Sequence, residues 1–292
     1  MLLHKKSEMP RAFTVIELFV VVAVLAILGT LFLPVMVHAK GKSMSMSAQC
    51  LNNHKQLITA AIMYADENRD WWPLNMPGTN PSWCYGWLDF VATNSNNTNI
   101  ALLTDPVQSV LGPFLPKPQI LHCPADKSYV PGEGARVRSV SMSGAVGTSP
   151  FAICNQTPCA VNGQWLGGTD IGNGCQTVWR TYGRTSQMIA PTPSGLWVFC
   201  DEHPDSINDN TLMVQCVNSG ISGVFVDLPA NYHNEACSFS FADGHVELHK
   251  WTGKTTQDPV SNSGGNIHSV QATDQGSAND LLWIQSRTSA HY

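Results

Sequence analysis

The sequence predicts an α+β protein: a long N-terminal helix packed on an antiparallel β-sheet head. Three observations carry this. Residues 13–33, FTVIELFVVVAVLAILGTLFL, form one apolar run whose only charge is Glu17. Beyond Gly41, Ala48, Leu51, Lys55, Ile58, Ile62 and Ala65 keep a three-to-four spacing, and Leu57, Ala61 and Tyr64 widen the stripe, as one apolar face of a helix requires. From Trp71 onward, short apolar runs alternate with Gly, Pro, Asn and Ser clusters, and no second long helical period follows.

Taken in order, residues 1–12 are a short leader containing Lys5, Lys6, Glu8 and Arg11. The apolar run is long enough for a membrane span, which needs about 20 residues, and the basic leader predicts a cytoplasmic N-terminus with everything beyond Pro34 outside the cytoplasm. A cleavable secretory signal, with Val37-His38-Ala39 as its small-x-small site, requires a shorter apolar core. A plain signal anchor explains the length but not Glu17, because a carboxylate in hydrocarbon costs roughly 2.5–3.5 kcal/mol on insertion scales. Either Glu17 snorkels to the interface or it has a partner. Pro34 predicts a bend or the end of the span. The helix extends to about residue 67, where Asp66-Glu67-Asn68-Arg69-Asp70 and then Pro73 stop it. The expected organisation is thus a leader at 1–12, a helix at 13–70 with a transmembrane part at 13–33, and a head at 71–292.

The 292 residues carry a net charge of −5, with 13% charged side chains, 23 Gly and 18 Pro. The leader contributes +2, which leaves −7 for the rest. An acidic head without a Lys/Arg stripe argues against nucleic acid as a partner. Nine cysteines lie scattered at 50, 84, 123, 154, 159, 175, 200, 216 and 237, with no C-x-x-C pair and no His/Cys spacing typical of zinc. In an exported chain they read as disulfides with one left over, and the alternative is a set of buried thiols.

Within the head, strands are expected at 138–143, 178–182, 195–200, 211–216 and 222–227. Residues 252–280 read as an irregular polar surface loop, and 281–286 as a return to the body. In CSFSFADGHVELHKW, 237–251, Asp243-Gly244 is a two-residue hairpin signal. Pairing outward sets Ala242 against His245, Phe241 against Val246, Ser240 against Glu247 and Phe239 against Leu248, with all four large apolar residues on one face.

AFTVIELFVVVAVLAIL resembles the prepilin-type cleavage and methylation segment of type IV pilins and type II secretion pseudopilins. The resemblance implies cleavage between Ala12 and Phe13 by a prepilin peptidase, N-methylation of Phe13, and Glu17 as the fifth mature residue, pairing with the α-amine of a neighbouring subunit. Ala12 departs from the glycine usual before the scissile bond. His233, Asp243 and Gly244 have the His-x9-Asp-Gly spacing of a C-terminal signature found on many bacterial prepilin-type proteins, and CLNNHKQLITAAIMYADENRDWWP, LHCPAD and WVFCDEHPD resemble its other segments. The implied protein is a non-enzymatic subunit of a type II secretion or type IV pilus-like machine. It would sit in the inner membrane by a single pass, with a periplasmic head and other pilin-like subunits as partners. The rival is an exported carbohydrate-binding or hydrolytic domain on a pilin-type anchor. Cys50 on the helix and Cys123 in LHCPAD both match parts of the family pattern and are the expected disulfide, with Cys154–Cys159 and Cys200–Cys237 as competing pairs.

Catalytic and metal readings of the head are weaker. His245, Glu247 and His249 alternate on one strand face without a fourth ligand. Asp201, Asp205 and Asp209 line an oxygen-rich loop that suits calcium but matches no EF-hand, and a solvated acidic loop has the same composition. His233 and Asp243 lie too far apart along an extended chain for an acid–base pair, so Asp243 reads as a turn residue and His233 as a hydrogen-bonding group of the sheet. There is no G-x-S-x-G. Trp71, Trp72, Trp83, Tyr85 and Trp87 form either a carbohydrate platform or a core and its rim.

Overall fold

The computed structural model describes residues 15–76, 81–147, 153–154, 157–158, 163, 165–169, 178–217, 220–221, 223–262 and 267–292, excepting the side chains of 26–43, 153–154 and 157–158. The chain divides into two units, Met1–Met44 and Ser45–Tyr292. Helix α1 spans Val15–Glu67. Eleven strands follow among the described residues. They are β1 (Tyr129–Val130), β2 (Gly134–Ala135), β3 (Val140–Ser143), β4 (Ile153–Cys154), β5 (Thr157–Pro158) and β6 (Trp197–Asp201), then β7 (Thr211–Leu212), β8 (Val224–Phe225), β9 (Ala236–Phe241), β10 (Val246–Lys250) and β11 (Val270–Gln271). Helix α2 closes the chain at Gln275–Thr288.

Two expectations fail here. The main sheet, ordered β10-β9-β6-β3-β7, is mixed and not antiparallel, because β3 and β7 run parallel. Among the described residues no helix is long and apolar enough to cross a membrane. This overturns the transmembrane segment at 13–33, the single-pass inner-membrane placement and the membrane-anchored secretion pseudopilin drawn from it. Helix α1 runs through Pro34 without interruption.

In the second unit the sheet lies between two helices. Leu57, Ile58, Ala61 and Ala65 of α1 pack with Val140, Met142, Val198 and Ala242 on one side. On the other, Trp197, Phe239, Phe241 and Trp251 pack with Ala278, Leu281 and Ile284 of α2. Strands β3 and β6 are wholly buried, so they read as continuous apolar or small-residue runs instead of alternating ones. Thr211–Leu212 is all that forms of the strand expected at 211–216, and 178–182 supplies only isolated bridges at Trp179 and Tyr182.

The β9–β10 hairpin is shifted by one residue from the expected register: Ser240 opposes Val246, Phe239 opposes Glu247 and Ser238 opposes Leu248. The turn consumes three residues, with Phe241 N–H bonded to His245 O (3.0 Å) and Gly244 N–H to Phe241 O (2.8 Å). Gly244 sits at φ +89°, the left-handed position that ends a three-residue turn. A one-residue slip exchanges faces. Phe239 and Phe241 therefore meet α2, while Ser238, Ser240 and Val246 face α1. The small serines let the helix approach, with Ser238 Oγ 3.2 Å from Cys50 Sγ.

The stretch expected as a polar loop contains the start of α2. Asp274 caps it, its carboxylate accepting from Ser277 N–H at 3.0 Å. Buried Asp280 accepts from Gly253 N–H (2.8 Å) and Thr256 Oγ (2.6 Å). Gly253 passes so close that a Cβ there would lie 2.1 Å from Ser277 N.

Candidate metal centre

Four chain segments converge beside the α1 face of the sheet. Cys50 comes from α1, Cys123 from the LHCPAD loop, Asp201 from the last position of β6, and His233 from the turn entering β9. One sulfur, nitrogen or carboxylate oxygen from each lies within 4.8 Å of all the others, and all four residues are buried. Cys50 Sγ is 3.0 Å from Asp201 Oδ2, and Cys123 Sγ is 3.2 Å from His233 Nε2.

A surrounding layer holds these groups in place. Ser139 Oγ donates to Asp201 Oδ1 at 3.0 Å. His54, one helical turn beyond Cys50, sets Nε2 3.3 Å from Asp201 Oδ2. Asp126 N–H donates to the Cys123 carbonyl at 3.0 Å, and Cys123 N–H donates to Ser139 Oγ at 2.8 Å.

The electrostatics match a dry pocket. The Cys50 thiol is pushed well up by the adjoining Cys123 thiol and then by burial. Burial likewise raises Cys123 and lowers His233. Burial alone would raise Asp201, but His54 against it holds the carboxyl below its ordinary range. Two thiols, a carboxylate and an imidazole are the donor types of a four-coordinate zinc site, and they do not suit calcium, which takes oxygen ligands.

The sequence places several of these residues correctly and misassigns their chemistry. Cys50 and Cys123 do meet, but as free thiols, which corrects the expected disulfide. Cys200 and Cys237 are also free and adjoin one another. Cys159 and Cys175, like Ala12 and Phe13, lie outside the described residues. The calcium candidates separate: Asp201 joins the thiols, Asp205 Oδ2 accepts from Ser261 N–H (2.6 Å), and Asp209 Oδ1 accepts from Thr211 N–H (2.7 Å). Their loop is largely buried and internally bonded, not solvated. His245 bonds Asp243 at 2.6 Å, while His249 stacks on Trp283 with ring centroids 3.7 Å apart and is lowered to about 4 by burial. Trp72 and Trp83 are core residues, and Trp87 is exposed.

His233 and Asp243-Gly244 play different parts at the two ends of β9. His233 faces Cys123, and the turn docks on α1, where Lys55 Nζ donates to Gly244 O at 2.6 Å. Sequence reasoning missed His54 and the shared site of Cys50, Cys123, Asp201 and His233. The Cys50-x3-His54 spacing, one helical turn, was the available signal. Comparison with protein-family models, with curated proteins and with solved structures finds no match.

Proposed function

We propose that the chain is a structural subunit of a pilin-like filament, processed by a prepilin peptidase between Ala12 and Phe13. The observation that supports this best is the surface of α1 over Val15–Leu25. Val15, Ile16, Leu18, Phe19, Val20, Val21, Val22, Val24 and Leu25 are all exposed, Ile16 and Phe19 by 75% and 70%. A helix apolar on every side is stable in water only when other apolar surface covers it. The helices of further pilin-like subunits are the cover that fits both this surface and the prepilin-type segment around it. In such packing Glu17 meets the α-amine that cleavage frees on a neighbouring Phe13, and opposite charges in an apolar setting fix the register between subunits. The head then serves as the folded body that each subunit presents, with no catalytic step assigned to it.

Mass spectrometry of the mature N-terminus tests the reading. A chain beginning at N-methylated Phe13 is the expected result, and an intact Met1 in the assembled protein would overturn it. Glu17→Ala should reduce the assembled fraction in sedimentation. Wild-type assembly of that variant would remove the carboxylate from this scheme.

A further inference from the structure

We propose that Cys50, Cys123, Asp201 and His233 form a structural zinc site that ties helix α1 to the sheet of the head. The proposal rests on the geometry of these side chains and is independent of how the chain assembles.

Zinc bound tetrahedrally by sulfur at about 2.3 Å and by nitrogen or oxygen at about 2.0–2.1 Å has neighbouring ligand atoms about 3.3–3.8 Å apart. The observed pairs, at 3.0 Å for Cys50–Asp201 and 3.2 Å for Cys123–His233, are somewhat shorter than that, and the whole set lies within 4.8 Å. An ion enters by displacing each ligand by a few tenths of an ångström. With four protein ligands no position is left for water or substrate, which marks a structural and not a catalytic site.

The protons also balance. Zinc binding expels one proton from each thiol, giving two thiolates and a carboxylate, −3 in all, around a +2 ion. His54 Nε2, 3.3 Å from Asp201 Oδ2, stands beside the remaining unit of charge. The second layer is of the kind that steadies such ligands: Ser238 Oγ on the Cys50 sulfur and Ser139 on the second Asp201 oxygen. Without an ion, two thiols, a carboxylate and two imidazoles crowd into one buried pocket, a costly arrangement for polar groups out of water. His54 Nδ1 is itself buried without a hydrogen-bond partner. Oxygen-only cations are excluded by the sulfurs, and the borderline-soft zinc ion accommodates all three donor types.

Three measurements on the full chain in mild detergent decide the matter. Metal analysis after purification without chelators should find about one zinc per chain. Cobalt(II) substitution should give the visible d–d bands of a tetrahedral ion together with thiolate charge-transfer absorption. Cys123→Ser and His233→Ala should lose the metal, whereas Cys84→Ser, which alters a buried thiol elsewhere, should keep it. Because the first two variants risk misfolding, His233→Cys supplies a control that retains four ligands: it should still bind cobalt, with stronger thiolate charge transfer. Folded wild-type chain that takes up neither zinc nor cobalt, cobalt spectra without thiolate bands, or a Cys50–Cys123 disulfide in peptide maps of the folded protein would each overturn the site.

Discussion

Single residues differ widely in how much room the structure leaves them. Gly253 is the sharpest case, since an added methyl group meets the backbone of Ser277 at 2.1 Å. Backbone cannot yield as a side chain end can, so Gly253→Ala should cost at least about 2–3 kcal/mol, read as a lowered urea midpoint at unchanged slope. His54 is constrained by chemistry instead. Beside Asp201 it acts as a positioning residue for the metal centre, and His54→Ala should weaken zinc binding by roughly 10–100-fold, measured by competition with a chelator. The thiols of the centre were legible only as cysteines. Nothing in their spacing separates a disulfide from a pair of metal ligands when Cys50 and Cys123 stand far apart in the chain, and the second pair of ligands, Asp201 and His233, is equally dispersed.

Among the elements, the amphipathic stretch of α1 was readable because Leu57, Ile58, Ala61 and Ala65 keep one period and face the same core, although Ala48 and Lys55 of the expected stripe are exposed. The hairpin was readable as a hairpin but not in register. Asp243-Gly244 signals a tight turn of either two or three residues, and only the left-handed Gly244 at the third position decides which. Gly244→Ala should therefore destabilise the head by about 1–2 kcal/mol, and the extra methyl would press on Ile62 Cδ1 at 3.3 Å. Thermal unfolding of the variant measures this. Helix α2 escaped notice because Ser277, Asp280, Gln285 and Thr288 are polar yet buried. Their hydrogen bonds to loop backbone and side chains, such as Gly253 N–H to Asp280, replace the apolar stripe that a sequence pattern can detect. The parallel pairing of β7 with β3 left no mark either, for two residues carry no period.

For the whole molecule, buried carboxyls set the response to pH. Burial, aided by the charge of Asp227, raises Asp209 to about 7 and raises Glu202 further above its ordinary range. In the unfolded chain both ionise near pH 4. Between about pH 4 and 7 these two carboxyls hold more protons in the folded state, and the stability they contribute falls as pH rises through that window. Urea midpoints of chelator-treated protein should be lower at pH 7.5 than at pH 4.5. Asp209→Asn, which keeps an oxygen for the Thr211 N–H, should flatten the difference. The alignment of α1 with β9 has a mechanical consequence. Cys50 lies over Ser238 and Ile62 over Gly244, so about 18 Å of helix runs alongside the Ser238–Phe241 part of β9, about 10 Å of strand, and the turn beyond it, anchored near both ends. Tension transmitted along the helix axis then loads the β9 hydrogen bonds all at once, in shear. Unlike a strand peeled open one bond at a time, such a joint resists until many bonds give way together.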